Sequence, residues 1–544
     1  MALAAGTQAA ASPTFDAQRM SQDVREISSD AYQGREPATP GETKTINFLI
    51  AQYQAAGLQP GGDLAGAKGS AKRRWTQDVP LGRYEFSGPL AVSVSDGKNR
   101  TSLRQGEDIA IRAVMNGERK IDLRNIPLVF VGYGVNAPER NWDDFKGEDL
   151  KGKLAVVLIN DPDFEGGEGD FGGKTMTYYG RWTYKFEEMA RRGAVGTIIV
   201  HETAPAAYGW PTVKNSNTNT MYDIVRKQPG QAHALIESWI QRDAAVDMFK
   251  RAGLDFETAR KSAQLRAFKP MPLTGVTLSA RFAVKSRVIT TKNVIGLVPG
   301  TSRAGEHVMY SAHWDHLGVA APDAKGDRIY NGAGDNGSGI AALLELARAY
   351  GKAPRPQRSV LFVAFTAEER GLLGSEYYAA NPVFPLATTA GLINMDNLNP
   401  MGLRKNFTIS GSARLDLLDR LIENAKARDV AFTPEPRPEA GGFFRSDHFP
   451  MAKRGVPAIS FKAGDEWAEG GLTAGQAYAK AYTANDYHQP SDEWRAEWTF
   501  AGTARDLEFL YATGRELADG GSWPNWAQDS EFRAARDASA AQRK

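Results

Sequence analysis

His307-Val-Met-Tyr-Ser-Ala-His313-Trp-Asp315-His316, Ser359-Val-Leu-Phe-Val-Ala-Phe-Thr-Ala-Glu368-Glu369 and Gly391-Leu-Ile-Asn-Met-Asp396 follow one pattern. Each is an apolar run of strand length that ends in imidazole or carboxylate. Between the first two lies Asn331-Gly-Ala-Gly-Asp335-Asn336-Gly-Ser-Gly, which leads into a helical pattern with Ile340, Leu343, Leu344 and Ala347 on one face. Strands alternating with helices predict an α/β fold with a doubly wound, mostly parallel sheet flanked by helices. In such sheets ligands bind outside the carboxyl ends of the strands. Here those ends carry the donor types that zinc accepts. The stretch therefore reads as most of a metal site in a hydrolase.

The rest of the chain is consistent with that reading. Its 544 residues suggest two to four domains, and 42% hydrophobic content supplies substantial cores. A net charge of +2 lacks the basic footprint of a nucleic-acid binder. Zero cysteines exclude disulfides, thiolate zinc sites and a cysteine nucleophile. No apolar run is long enough to span a bilayer. Residues 1–14, rich in small side chains, are read as a disordered N-terminus or, by preference, the remnant of a trimmed secretory leader, which would make the protein periplasmic or secreted. Residues 15–122 are assigned to the N-terminal part of the catalytic domain. They hold two helices around a turn-rich loop at Ser28–Gly41, a surface loop at Gly61–Lys72, and alternating strands from Trp75 onward. An inserted, β-rich domain is placed at 123–268, with buried strands near Leu154 and Ile198 and a loop-like stretch at Gly209–Thr220. The catalytic domain resumes over 269–521, starting with two strands in Val276–Val298, and 522–544 form a polar tail.

Taken singly, each candidate ligand has a bland role. His313 suits a hydrogen-bonded structural histidine, Asp335 a helix N-cap, Glu368-Glu369 a solvated pair, Asp396 a turn residue and His488 a surface histidine. Together, and mostly at strand ends, they point to metal. Adjacent side chains in an extended segment face opposite ways. One of Glu368 and Glu369 can then bind metal while the other serves as general base. Asp335 has two oxygens and can bridge two ions. The residues alone leave open which histidine pairs with which carboxylate.

Ala312-His313-Trp-Asp315-His316-Leu-Gly, Gly332-Ala-Gly-Asp335-Asn336-Gly-Ser-Gly339, Thr366-Ala-Glu368-Glu369-Arg-Gly, Asn394-Met-Asp396, Arg445-Ser-Asp447-His448-Phe-Pro and Tyr487-His488-Gln-Pro-Ser-Asp together resemble the co-catalytic di-zinc aminopeptidases. These are the bacterial leucyl aminopeptidase and aminopeptidase S type, in one clan with glutamate carboxypeptidase II. Val131-Gly-Tyr-Gly-Val and Arg192-Gly-Ala-Val-Gly-Thr-Ile-Ile-Val resemble a protease-associated domain. The resemblance implies a zinc exopeptidase with two Zn2+ ions. His313 and Asp396 would hold one ion, Glu369 and His488 the other, and Asp335 would bridge. Glu368 would be the general base and Asp315 the partner of His313. It also implies a peptide substrate whose free amino group sits beside the metals. An oxyanion donor is expected; Tyr487 and His448 are candidates, with packing and local hydrogen bonding the preferred reading of both. The loop Tyr208–Asn219 and the segment Gly441–Arg445 are candidate pocket walls. The alternatives are a one-zinc glutaminyl cyclase, a glutamate-carboxypeptidase-like hydrolase using Arg404 or Arg445 for a substrate carboxylate, and a receptor-like protein, which would have lost ligands that are intact here.

Overall fold

The computed structural model describes residues 13–66 and 72–543. The leader reading thus lies almost wholly outside the described residues, as does the middle of the Gly61–Lys72 loop. The chain forms two compact units: Met1–Val79, Thr291–Pro434 and Ser446–Lys544 make the first, and Pro80–Thr290 with Glu435–Arg445 the second. The inserted unit is therefore wider than 123–268. Pairing explains the difference. Residues 81–84 pair with 221–224, 91–95 with 277–281, and 109–111 with 238–240. The early alternating strands complete the sheets of the insert.

In the first unit, β1 (Met271–Val298) contributes its last residues to a sheet with β2 (Arg303–His313), β3 (Arg358–Phe365), β4 (Thr389–Met395), β5 (Asn406–Ile409) and β6 (Ala458–Ala463). The two strands expected in Val276–Val298 are one continuous strand. The order is β1-β3-β2-β4-β6-β5. The four inner strands run parallel, and the outer two are antiparallel to their neighbours. Every residue of β3 and β4 is buried, as expected of parallel strands covered on both faces. The covering helices include α1 (Ser338–Lys352) and α3 (Ala501–Asp519). Ile340, Leu343 and Leu344 of α1 and Leu507, Leu510 and Leu517 of α3 are buried. Each such side chain contributes about 1.5–3 kcal/mol relative to exposure. The tail after 522 is not merely polar: Trp526 and Phe532 are buried, and the Arg536 guanidinium donates to the Thr389 carbonyl at 3.0 Å. A helix, α2 (Gly471–Asn485), precedes His488.

The second unit is α/β rather than simply β-rich. Lys120–Phe130, Leu154–Leu158, Gly196–His201 and Ile236–Gln241 form a parallel set. The stretch expected as a loop at Gly209–Thr220 contains the helix Trp210–Asn217. Pro211 opens it, Val213 is buried beneath it, and the Asn217 amide donates to the Val213 carbonyl at 2.7 Å. Its run of Asn, Ser and Thr concealed the buried Val213. Among the described residues no helix is long and apolar enough to cross a membrane.

Within this unit His233 is clamped between Glu237, 2.7 Å from Nδ1, and Asp223, 3.0 Å from Nε2. Burial opposes its charge, yet Glu237 and Asp223 push it up to about 9. A raised histidine stabilises the fold fully below its unfolded value near 6.5, and that contribution is lost as pH climbs through 9. Wild-type protein should therefore lose on the order of 2 kcal/mol between those limits relative to a His233→Gln variant. Unfolding midpoints recorded across this range check it; parallel curves for the two proteins would disprove it.

Candidate metal centre

The sheet brings the donors together. β3, β2 and β4 are parallel neighbours, with His313 opposite Phe365 and Ser311 opposite Asn394. Their carboxyl ends share one edge. The chain makes β2 first, β3 on one side, then β4 on the other. The site thus opens where the winding reverses, the place such sheets bind ligands.

Asp335 is the hub. Its Oδ1 lies 3.2 Å from His313 Nε2, and its Oδ2 lies 3.2 Å from His488 Nε2. His313 Nε2 is also 3.3 Å from Asp396 Oδ1, and His488 Nε2 is 3.2 Å from Glu369 Oε2. Two overlapping donor sets result, each sharing Asp335. His313, Asp335 and Asp396 present donor atoms within 4.8 Å of one another, as do His316, Asp335 and Glu369.

Asp335 is free for this because it does not cap α1. Its own backbone is non-helical (φ −109°, ψ 96°). The capping falls to Asn336, whose Oδ1 accepts from the Gly339 amide at 2.9 Å and the Asn397 amide at 3.1 Å. A Cβ at Gly339 would sit 2.2 Å from that oxygen, so glycine is required there. Asp492 holds the turn from below. Its Oδ1 accepts from the Gly334 amide and its Oδ2 from the Asp335 amide, each at 3.0 Å. Tyr482 of α2 donates to the same carboxylate at 3.1 Å.

Asp315 does the same for the glutamate pair. Its carboxylate accepts from the Glu368 amide at 3.0 Å and the Glu369 amide at 3.4 Å. The expected partnership with His313 takes a different form. The Asp315 carboxylate is 3.8 Å from His313 Nδ1, whereas the Asp315 main-chain carbonyl is 3.1 Å away. Donation of Nδ1–H to that carbonyl leaves Nε2 to face the carboxylates. Asp396 is held by a relay: Ser311 donates to Asn394, Asn394 to Ser446, and Ser446 to Asp396 Oδ2 at 2.6 Å. Arg35, fully buried, donates to the carbonyls of Trp314, Asn331 and Gly332, tying two ligand loops together.

The electrostatics demand cations. Burial opposes charge on His488, yet Asp335 and Glu369 push it up to about 10. His313 is likewise raised against burial by Glu368, Asp335 and Asp396. Asp335 is driven low by both imidazoles despite burial, and Glu369 falls to about 2. Imidazolium protons thus balance the carboxylates where metal ions would. Two imidazoles and several carboxylates, with no sulfur, are a donor set zinc accepts. Glu368 behaves oppositely to its neighbour. Burial first, then Asp396, Glu369 and Asp447, raise its carboxyl well above the usual range.

The structure brings together His313, Asp315, Asp335, Glu368, Glu369, Asp396 and His488, all within the first unit. Tyr487 is exposed on one side and stacks on His488, ring centroids 3.9 Å apart, with its hydroxyl among the carboxylates of Asp335, Glu369, Glu368 and Asp396, which oppose its ionisation. His448 is buried and pushed down to about 3, which suits a neutral core histidine. Sequence reasoning gave no role to Arg35, His316, Asn336, Ser446 or Asp492. All but Arg35 lie inside quoted motifs, which is the local signal they carried.

The sequence profile of peptidase family M28 matches residues 293–511. Aminopeptidase YwaD of Bacillus subtilis is 37% identical over 409 residues, 74% of this chain and 70% of that protein. A probable zinc metalloprotease of Pyrenophora teres is 28% identical over 206 residues, 38% of this chain and 40% of that protein. The chain spans no more than 40% of the length of two of the curated relatives it matches. A solved aminopeptidase from an Aneurinibacillus species aligns over 93% of this chain and 94% of its own, with TM-score 0.46 and 18% identity.

If Asp335 serves both donor sets, Asp335→Ala should abolish uptake of both ions, read by elemental analysis after dialysis; retention of two ions would refute bridging. Zinc bound through His313 and His488 would displace their protons, so affinity should rise with pH toward about 10, where His488 loses its charge. Calorimetry in buffers of different ionisation enthalpy should register proton release on binding, and its absence would contradict this charge balance.

Proposed function

Since the chain belongs to peptidase family M28, we propose that it is a zinc-dependent aminopeptidase that works with two ions. The observation that carries the reading is Asp335, whose two oxygens face His313 and His488 on opposite sides. His313 and Asp396 would hold one ion, His488 and Glu369 the other, and Asp335 would serve both. When bound, the pair supplies Lewis acidity to the scissile carbonyl and to the attacking water.

The side chains supply the rest. Glu368 is the general base. Its raised carboxyl suits a group that takes a proton from water and returns it to the leaving amine. Asp315 fixes the backbone of both glutamates, so that Glu369 turns to His488 while Glu368 stays available. Tyr487, stacked on His488, is our candidate donor to the oxygen that gains charge at the carbonyl. The resemblance of residues 131–135 and 192–200 supports reading the second unit as a protease-associated domain.

The carboxypeptidase alternative is weaker. Arg404 is fully buried and committed, donating to Asp506 at 3.0 Å and to the carbonyls of Asn399 and Met401. It cannot receive a substrate carboxylate.

Glu368→Gln should keep its zinc yet lower kcat by about 10²–10⁴-fold, the usual contribution of a positioned acid–base group. Full activity would sink the base assignment. A panel of aminoacyl substrates with free and blocked amino groups should show cleavage of the free forms only. Equal rates on blocked peptides would rule out an aminopeptidase.

A further inference from the structure

His316 belongs to neither expected ligand pair, yet it touches one of the ligands. Its Nδ1 lies 2.6 Å from Glu369 Oε1, while Glu369 Oε2 faces His488 at 3.2 Å. The two oxygens of Glu369 are thus divided between two imidazoles. We propose that His316 is a positioning residue that claims Oε1 and holds Glu369 to one-oxygen ligation of the second metal. This rests on the two-ion reading above.

The geometry gives the imidazole little freedom. The ring is fully buried, and Gly332 approaches its face: a Cβ there would lie 2.6 Å from Cγ and Cδ2. Gly332 has φ +57° and donates no side chain, so the ring fills the space that a larger residue would take. The carbonyl of Arg35, the residue that ties the ligand loops, accepts from the His316 amide at 3.4 Å. The ring sits edge-on to His488, centroids 5.7 Å apart at 68°. Its Nε2 is buried with no hydrogen-bond partner among the described residues. All of its polar contact is therefore spent through Nδ1 on Glu369.

The consequence is asymmetry. Asp396 also has one oxygen on an imidazole, but its other oxygen accepts from the small, rotatable Ser446 hydroxyl. Glu369 has a longer, looser side chain. Without a fixed donor on Oε1 it would rotate or chelate with both oxygens. A bidentate carboxylate raises the coordination number of the second ion and takes up room needed by substrate. The division of oxygens by His316 prevents this.

The competing assignment is that His316 is itself a ligand, since its donor atoms lie within 4.8 Å of those of Asp335 and Glu369. Substitutions separate the two. Asparagine places an amide N–H near the position of Nδ1, whereas glutamine carries it out toward Nε2. Full-length protein, stripped of metal, is titrated with Zn2+ against a chromogenic chelator, and the Co2+-loaded forms are compared by visible absorption. We expect two ions in wild type. In H316A the first ion is unaffected and the second binds about 10–100-fold more weakly, the usual effect of losing a hydrogen bond to a ligand. H316N should restore the second affinity to within about threefold, and H316Q should resemble H316A. The visible absorption of the second Co2+ should weaken in H316A and H316Q as its coordination number rises. Equal second-ion affinity in H316A and wild type would overturn the positioning role. Loss of that ion from all three variants alike would overturn it in favour of a ligand. Binding of a single ion by wild type would overturn the two-ion reading itself, and this inference with it. If H316A does not fold, the contrast between H316N and H316Q decides alone.

Discussion

The site is governed by the repulsion among carboxylates held in one buried place. Asp315, Asp335, Glu368, Glu369, Asp396 and Asp447 crowd the same strand ends, and each raises or is raised by its neighbours. Two unit charges 4 Å apart repel by about 4 kcal/mol at an effective dielectric constant near 20. Left mobile, such groups would separate or take up protons. The fold therefore spends rigid backbone and buried donors on keeping them in place. The imidazoles of His313 and His488 and the buried Arg35 guanidinium offset the charge.

Two buried aspartates carry most of that rigidity, and they work alike. Asp315 accepts the consecutive amides of Glu368 and Glu369, and Asp492 those of Gly334 and Asp335. Each fixes a loop through its main chain and leaves the loop's own side chains free for chemistry. A ligand oriented this way need not use its own oxygens for support. Asn336 completes the arrangement by capping α1 in place of Asp335. The tight, buried strands β2, β3 and β4 supply the platform, and α2 delivers Tyr482 and His488 to it from far along the chain. The same backbone anchoring splits Glu368 from Glu369. One is held low between two imidazoles and the other is raised among carboxylates, although they are chemically identical neighbours.

Much of this was legible in the chain. The three apolar runs ending in donors are strands, in the parallel arrangement that their uninterrupted burial required, and the helix after Asp335 is where its periodicity placed it. The readings that failed share a cause. The Gly209–Thr220 stretch, rich in Asn, Ser and Thr, holds the helix Trp210–Asn217, anchored by the buried Val213 and Asn217. The polar tail packs because Trp526 and Phe532 find partners that no local pattern reveals. The insert extends back to Pro80 because strand pairing, which is non-local, sets the boundary. The resemblance gave Asp315 to His313 as its partner, but the register of β2 against β3 turns its carboxylate to the glutamate amides.

Local patterning fixes which residues end strands and which donor types they offer, since periodicity and side-chain chemistry act over a few positions. The amino-acid sequence therefore determined a parallel α/β core with imidazole and carboxylate at its carboxyl edge. It could not determine how those donors divide among themselves. That depends on distances of about 3 Å between residues separated by tens to hundreds of positions, such as His313 with Asp396, His488 with Asp335, and His316 with Glu369. Only the packed sheet, with its register and its buried aspartate clamps, decided that Asp335 faces both histidines and that Glu369, rather than Glu368, is the glutamate held between imidazoles.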